Sequence, residues 1–190
     1  DLAIRACKTL LLFLSSLCYT FEGGIMLRNI VLIGMPGSGK STAGVVLAKR
    51  LGWDFLDTDI LLAKKERKTL VAIIGKLGYE GFLQRENELG SSISCEKTVI
   101  ATGGSMPLCP DAMRNLKALG TIVFLRVPVC RLKERLPENL IDRGIAALPS
   151  MSLGEIEEMR RPFYENYADV IINCPDGVDN TARLIEETLF

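Results

Sequence analysis

The chain has 190 residues and a mass of 20.9 kDa, which is enough for one domain with a single sizeable core. Its 48% apolar and 24% charged residues, with only 17 glycines and 8 prolines, exclude a disordered or collagen-like chain. The 23 basic and 23 acidic residues balance, so there is no overall positive charge to attract nucleic acid or an anionic membrane.

The absence of histidine narrows the possible chemistry. It excludes a Ser-His-Asp triad, a Cys-His pair, imidazole proton transfer and zinc sites that use histidine. The six cysteines are widely spaced and form no C-x-x-C pair, so they predict neither a metal site nor a redox motif. We interpret them as reduced packing residues of a cytoplasmic protein.

The first 25 residues differ from the rest of the chain. Arg5 and Lys8 precede an apolar run of five residues, as in a signal peptide, but no A-x-A cleavage site follows. Met26 also stands just ahead of the first predicted strand. We therefore interpret residues 1–25 as an extension that is poorly ordered or not native, and residues 26–190 as one domain. A run of five apolar residues is too short for a membrane span, which needs about 20.

From Met26 onward, short apolar runs alternate with segments of helical periodicity, which is typical of βαβ units. The predicted fold class is α/β, with a doubly wound, mostly parallel five-stranded sheet and helices on both faces. The predicted strands are Ile30–Ile33, Phe55–Asp57, Val99–Thr102, Ile122–Leu125 and Val170–Ile172. The predicted helices are Ser41–Leu51, Ile60–Lys68, Gly81–Ser91, Asp111–Leu119, Val129–Leu136, Leu153–Tyr167 and Val178–Leu189.

Residues 137–152 interrupt this alternation with Pro137, Gly144 and Pro149. We expect a loop there, which is either a lid that closes over a ligand or a plain surface loop.

Residues Gly34–Ser41 match the P-loop pattern G-x-x-x-x-G-K-[ST] and lie between a predicted strand and a predicted helix. In this segment, called the phosphate loop below, glycines let backbone N–H groups converge on phosphate oxygens, and the following helix adds the positive end of its dipole. Lys40 should reach the β- and γ-phosphates and the Ser41 hydroxyl should bind Mg²⁺. The motif predicts binding of ATP or GTP; a merely glycine-rich turn is the alternative.

Two acidic residues, Asp57 and Asp59, follow the second predicted strand. Ligands of doubly wound folds bind at the carboxyl ends of the strands, and residues i and i+2 of a strand share a face. We expect Asp57 to assist the metal and Asp59 to accept the proton or hydrogen bond of an attacking hydroxyl. The alternative is a helix N-cap at Asp59 with an exposed Asp57.

Together with the phosphate loop and this acidic pair, Ala101-Thr-Gly-Gly-Ser105 and Arg160-Arg-Pro-Phe-Tyr164 resemble the shikimate kinase family over about residues 28–190. The resemblance implies a P-loop kinase fold with a lid at about residues 137–152. It implies phosphoryl transfer from ATP, with Mg²⁺, to a hydroxyl of shikimate, a step in the biosynthesis of aromatic amino acids. It also implies catalytic roles for Lys40, Asp59 and the lid arginine Arg143.

The resemblance further assigns binding roles to individual residues. Asp57 and Ser41 would hold the metal, and Arg135 would lie over the adenine. The residues implied to hold the nucleotide phosphates are Gly37, Ser38, Gly39, Lys40, Ser41 and Thr42. The residues implied to bind shikimate are Asp59, Gly103, Gly104, Ser105 and Arg160, the last of which would hold the carboxylate.

This chain departs from the family at two positions on the acceptor side. Ser105 stands where the family has the third of three glycines, and Leu83 stands where the family has an arginine that clamps the substrate carboxylate. Arg85 points about 200° round the helix from position 83 and cannot replace that arginine without a rotation of the helix.

Loss of this charge-assisted contact would weaken carboxylate binding by a few kcal/mol unless another group compensates. A related kinase that acts on another small polyol or hydroxy acid is therefore an alternative, and so is a nucleotide-binding module without catalysis. A nucleoside monophosphate kinase is disfavoured because residues 60–90 offer only the Lys64–Lys68 cluster for a second phosphate. We expect a monomer whose partner is a small-molecule hydroxyl acceptor, without nucleic acid or membrane.

Overall fold

The computed structural model describes residues 20–21, 24–25, 28–136, 144–147 and 151–190. Five parallel strands form its central sheet, in the order β2-β3-β1-β4-β5. They are β1 (Asn29–Ile33), β2 (Asp54–Asp57), β3 (Thr98–Ala101), β4 (Thr121–Arg126) and β5 (Val170–Asn173). A two-residue antiparallel pair, Thr20–Phe21 with Gly24–Ile25, precedes the sheet. The predicted domain boundary after residue 25 stays a prediction, because most of residues 1–27 lie outside the described residues.

Seven α-helices occur in the described part of the chain, and together with the sheet they confirm the predicted α/β class. They are α1 (Lys40–Leu51), α2 (Thr58–Glu66), α3 (Leu70–Ser92), α4 (Pro110–Leu119), α5 (Val129–Arg135), α6 (Leu153–Tyr167) and α7 (Val178–Leu189). A short 3₁₀ turn, Met106–Leu108, lies between β3 and α4. None of the described helices is both long enough and apolar enough to cross a membrane.

The two faces of the sheet are packed by different helices, because alternate residues of a strand point to opposite sides. Val31 and Ile33 of β1 face a core cluster with residues from α4 and α6, whereas Ile30 and Leu32 face a second cluster with residues from α1 and α7. All four of these β1 side chains are fully buried. Helices therefore cover both faces, and β1 needs the near-continuous apolar run by which the sequence predicts it.

The parallel register brings the carboxyl ends of three strands to one edge of the sheet. Leu32 pairs with Ala101, and Asp57 pairs with the same residue from the other side. The phosphate loop after β1, the acidic pair after β2 and the Gly-Gly-Ser turn after β3 consequently leave the sheet side by side. β1 is also the strand at which the connections change direction, which is where doubly wound folds bind ligands.

The structure corrects the predicted bounds of two helices. Helix α3 begins at Leu70 and not at Gly81, because its first part continues through the kink at Gly78, which has φ 70° and ψ −176°. Helix α2 begins at Thr58 and not at Ile60, because the Asp57 side chain caps it. The same helix ends at Glu66, two residues before the predicted Lys68. The remaining predicted boundaries agree with the structure to within one residue.

Candidate active site

The phosphate loop has a backbone that only glycine adopts readily. Gly34, Gly37 and Gly39 have φ values of 144°, 77° and 94°. A Cβ on Gly34 would lie 2.7 Å from the carbonyl oxygen of Leu125 on β4, so a side chain has no room there. Gly39 is the N-cap of α1 and provides no capping side chain. The N–H groups at the start of α1 are thus left for an anion.

Lys40, the first residue of α1, lies folded over this loop. Its side chain is buried, and Nζ donates to the carbonyl oxygens of Gly34 and Met35 at 2.7 and 2.9 Å. Burial lowers the pKa of Lys40 to about 8, while the Asp59 and Asp57 carboxylates act in the opposite direction. The amine is therefore held within the electrostatic reach of the acidic pair.

The acidic pair divides between a strand end and a helix. Asp57 ends β2 and caps α2: its Oδ1 accepts from the backbone N–H groups of Asp59 and Ile60 at 2.9 and 3.2 Å. Asp59 lies in the first turn of α2, so the prediction that both carboxylates share a strand face is wrong. The alternative of a cap at Asp59 is also wrong. Burial and the neighbouring Asp57 carboxylate raise the pKa of Asp59 to about 6, although Lys40 opposes this shift.

A third carboxylate, that of Glu86 on α3, lies near Asp59 beside Gly103. A Cβ built on Gly103 would overlap Glu86 Oε1 and would lie 2.7 Å from Asp59 Oδ1. Glu86 Oε1 and Asp59 Oδ1 both lie within 2.7 Å of this Cβ position, so the two oxygens are separated by less than twice that distance. Gly103 is a glycine because the two carboxylates occupy the space of a side chain, and its N–H donates to Thr58 Oγ1 at 2.9 Å.

Ser105 and Arg160 complete this end of the site. The Ser105 hydroxyl donates to Glu86 Oε2, and both side chains are buried. Arg160 is 1% exposed, and one of its terminal nitrogens donates to the carbonyl oxygen of Ala146. Its Nε is buried and has no hydrogen-bond partner among the residues that the structure describes. Tyr164, one turn further along α6, donates from its hydroxyl to the carbonyl oxygen of Gly104 at 2.6 Å. A buried guanidinium with an unused donor is a binding group for an anion.

A single cleft of about 550 Å³ connects these groups. It runs from the phosphate loop and the start of α7 to the acceptor-side groups, which are drawn from α2, α3 and α6. The predicted site residues that line it are Gly37, Ser38, Gly39, Lys40, Ser41, Thr42, Asp59, Gly104, Ser105, Arg135 and Arg160. Asp57 and Gly103 are not in this lining: Asp57 accepts from the backbone N–H of Asp59, and Gly103 lies against the Asp59 and Glu86 carboxylates.

Two predicted site residues belong to the segment around the predicted lid. Arg135, at the end of α5, donates to the carbonyl oxygen of Gly37 at 3.2 Å and lines the nucleotide end of the cleft. Arg143 lies outside the described residues, as do residues 137–142 and 148–150 of the predicted lid. Of the described part of that segment, residues 144–147 and 151–152, three residues line the cleft: Gly144, Ile145 and Ala146.

The structure also shows the surroundings of Leu83, the position on α3 at which this sequence departs from the family pattern. Leu83 packs against the core cluster beneath α4 and is not among the described residues that line the cleft. Arg85 is exposed and bonds to Glu88 at 2.7 Å, with Glu66 3.7 Å away. The expectation that Arg85 points away from position 83 is thus confirmed, and α3 sends no cation into the cleft.

Sequence reasoning missed Glu86 as a site residue. A signal was nevertheless present: Phe82 and Leu89 lie four residues before and three residues after it, on the same helical face, and both are buried. A lone acid within an apolar stripe predicts a buried charge, and buried charges cluster at functional sites.

A parallel sheet with a phosphate loop after its first strand, joined by one cleft to carboxylates and a buried arginine, defines a nucleotide-dependent phosphotransferase. The family model for shikimate kinase matches residues 36–189. Shikimate kinase 2 of Sodalis glossinidius (strain morsitans) is 31% identical over 169 residues, which cover 87% of this chain and 97% of that protein. The chain belongs to the shikimate kinase family, which confirms the resemblance seen in its motifs.

Two further relatives show the extent of the similarity. The structure of shikimate kinase from Acinetobacter baumannii in complex with shikimate superposes with a TM-score of 0.73 at 28% identity, covering 86% of this chain and 93% of that one. Threonine synthase-like 1 of Macaca fascicularis is 32% identical over 151 residues, which are 79% of this chain and 20% of that protein. The same fold therefore also occurs as one part of a much longer protein.

Proposed function

We propose that this chain transfers the terminal phosphoryl group of ATP to a hydroxyl of shikimate, giving shikimate 3-phosphate. The observation that carries the proposal is the continuous cleft between Lys40 in the phosphate loop and Asp59 and Arg160 on the acceptor side. Membership of the shikimate kinase family supports it, as does the neighbour that is described with shikimate bound. Catalysis is then a matter of positioning and of charge stabilisation, without a covalent intermediate.

On the nucleotide side, the loop N–H groups and Lys40 hold the phosphates and neutralise the charge that develops during transfer. The donors fit Mg²⁺, which prefers hard oxygen ligands: Ser41 offers an exposed hydroxyl at the first turn of α1. Asp57 offers its second carboxylate oxygen, since its described hydrogen bonds both go to Oδ1. When bound, Mg²⁺ supplies charge neutralisation on the phosphate oxygens. Arg135 covers the adenine in this proposal, and Arg143 stabilises the transferring group.

On the acceptor side, Asp59 orients the attacking hydroxyl and accepts its proton. Its pKa of about 6 leaves it mostly ionised at neutral pH, and it sits between Lys40 and Glu86 at the middle of the cleft. Arg160 holds the acceptor carboxylate through its Nε–H, for which the described part of the chain offers no other partner. Gly104 and Ser105 form the floor beneath the acceptor, and Gly103 lies behind them against the Asp59 and Glu86 carboxylates.

A different small polyol or hydroxy acid is the second candidate acceptor, because Leu83 packs into the core and Arg85 pairs on the surface. Arg160 is then the one guanidinium that the described residues direct into the acceptor end of the cleft.

A coupled ATPase assay with shikimate, set against a panel of polyols and hydroxy acids, tests the proposal. We expect ATP consumption that depends on shikimate and a phosphate ester detected by ³¹P NMR. Asp59→Asn should lower kcat by about 100-fold or more, whereas Asp54→Asn, an exposed acid at the start of the same β2–α2 segment, should not. Turnover of another acceptor alone would favour the second candidate, and no turnover with any acceptor would favour a non-catalytic module.

We also propose that the protein acts as a cytoplasmic monomer. The four described cysteines, Cys95, Cys109, Cys130 and Cys174, are free thiols, which suits a reducing compartment. All the side chains to which we assign a role belong to one chain. Light scattering at the assay concentration tests the oligomeric state.

A further inference from the structure

Glu86 has no salt-bridge partner among the described residues, although it is 2% exposed and lies at the acceptor end of the cleft. An isolated buried carboxylate is costly, so it needs either a cation or a proton. The position on α3 from which a cation could come carries Leu83, which packs into the core. The one described hydrogen bond to the Glu86 side chain comes from the neutral hydroxyl of Ser105.

The charged and titratable groups around Glu86 belong to several different elements. Asp59 faces it from α2, and the pair of carboxylates across Gly103 disfavours ionisation of both. Arg160 from α6 and Lys40 from α1 favour the charged form at longer range. The uncharged thiol of Cys109 and hydroxyl of Tyr164 complete the surroundings. Burial dominates this balance and raises the pKa of Glu86 to about 8.

The two oxygens of Glu86 have different surroundings. Oε2 accepts from Ser105, so it is occupied. Oε1 lies beside Gly103, across from Asp59 Oδ1. Oε1 is therefore the oxygen that carries the proton when Glu86 is neutral. A carboxylic acid in this position is a hydrogen-bond donor next to the carboxylate that orients the attacking hydroxyl.

We propose that Glu86 is a specificity-determining residue that acts as a neutral carboxylic acid, its Oε1–H donating to a hydroxyl of the acceptor other than the one that is phosphorylated. The inference rests on the proposed function, because it takes shikimate as the acceptor. This role gives the site a hydrogen-bond donor that favours an uncharged hydroxyl of the acceptor over a second anionic group, because Arg160 already binds the carboxylate. Ser105 acts as a positioning residue that fixes which oxygen of Glu86 carries the proton.

Three variants test this role through the dissociation constant of shikimate, measured by calorimetry without nucleotide. Glu86→Gln keeps both halves of the pattern, because its amide oxygen accepts from Ser105 and its NH₂ donates; we expect wild-type affinity at pH 7. Glu86→Leu removes the donor and should weaken binding about tenfold or more. Glu88→Gln, two residues further on the exposed face of α3, is the matched control and should change nothing.

The pH dependence provides a readout that a merely structural role would not move. Wild-type affinity for shikimate should fall about tenfold from pH 7 to pH 9, as Glu86 loses its proton, whereas Glu86→Gln should lack this loss. Any loss that remains in Glu86→Gln belongs to Lys40 or another group. Ser105→Gly removes a hydroxyl that favours the charged form, so the fall should move to higher pH.

A second measurement needs no acceptor. The ¹³C carboxyl resonance that disappears in Glu86→Gln should titrate near pH 8 in the wild type; a carboxyl already ionised at pH 7 overturns the inference. Equal shikimate affinity in wild type and Glu86→Leu, or a pH-independent wild type, also overturns it. A chain that does not bind shikimate at all overturns the proposed function and, with it, the donor role, and this outcome differs from equal binding by all variants.

Discussion

The buried carboxyl group of Glu86 contributes a dependence on pH to the stability of this fold. The pKa of Glu86 is raised from an ordinary 4.5 to about 8 by burial, so the folded chain keeps a proton that the unfolded chain releases. The stabilisation from this proton is complete below pH 4.5 and is lost as the pH rises towards 8. Asp59 titrates below pH 6.5 and Lys40 near the upper limit, so Glu86 dominates the middle of this interval.

We expect the free energy of unfolding to fall between pH 6.5 and 7.5 in the wild type, by at most about 1.4 kcal/mol per pH unit from this group. Glu86→Gln should remove that slope, because an amide does not titrate. Urea unfolding at closely spaced pH values measures it. Glu88→Gln should keep the wild-type slope, and an unchanged slope in Glu86→Gln would contradict the assignment.

Gly103 is the residue on which the two carboxylates depend for space. In Gly103→Ala the new methyl group would overlap Glu86 Oε1 and lie 2.7 Å from Asp59 Oδ1, so both side chains must move. Crowding of this kind costs about 1–3 kcal/mol of stability, and displacement of Asp59 should lower kcat/KM at least about tenfold. Thermal unfolding and steady-state kinetics check the two effects. Gly154→Ala is the control, since among the described residues a Cβ there meets Ser152 Oγ alone, at 3.9 Å.

At the scale of elements, the phosphate loop and the strands follow directly from the sequence, whereas the start of α3 does not. The loop motif fixes its own backbone through glycines, and β1 is buried on both faces, so local sequence determines both. Gly75, Gly78 and Gly81 lower the helix propensity of the first half of α3, yet packing of Ile73 and Leu62 in a shared cluster keeps that part helical. Tertiary contacts of this kind are not visible in local periodicity.

The kink in α3 is a local requirement for glycine that separates two otherwise similar positions. Gly78 has φ 70° and ψ −176°, a conformation that L-residues avoid. Gly75 has an ordinary helical backbone, and no described residue lies within 4 Å of its Cβ position. We expect Gly78→Ala to destabilise the fold by about 1–2 kcal/mol and Gly75→Ala to stabilise it by about 0.5–1 kcal/mol. Chemical denaturation of both variants tests the difference, and equal effects would show that the kink straightens freely.

At the scale of the whole molecule, the sequence predicts which residues meet but not how they bond. The carboxyl ends of β1, β2 and β3 gather the phosphate loop, Asp59 and the Gly-Gly-Ser turn, as the fold class alone implies. The contact between Glu86 and Ser105 joins residues 19 positions apart on different elements, so no local pattern reveals it. The cap made by Asp57 was also missed, because its spacing suits a strand face as well as a helix start.

Nucleotide binding should stabilise the whole fold, because the phosphate loop joins β1 to α1 at the centre of the sheet. A non-hydrolysable ATP analogue with Mg²⁺ at 100 times its Kd adds about 2.7 kcal/mol to the free energy of unfolding, which raises Tm by roughly 5–10 °C in a chain of this size. Lys40→Met should lose most of this shift, since its amine no longer meets the phosphates. Lys49→Met, an exposed lysine at the other end of α1, should keep it. Differential scanning calorimetry with and without the analogue compares shifts within each variant, so any change in intrinsic stability cancels. An equal shift in Lys40→Met would mean that the nucleotide binds elsewhere, whatever the acceptor.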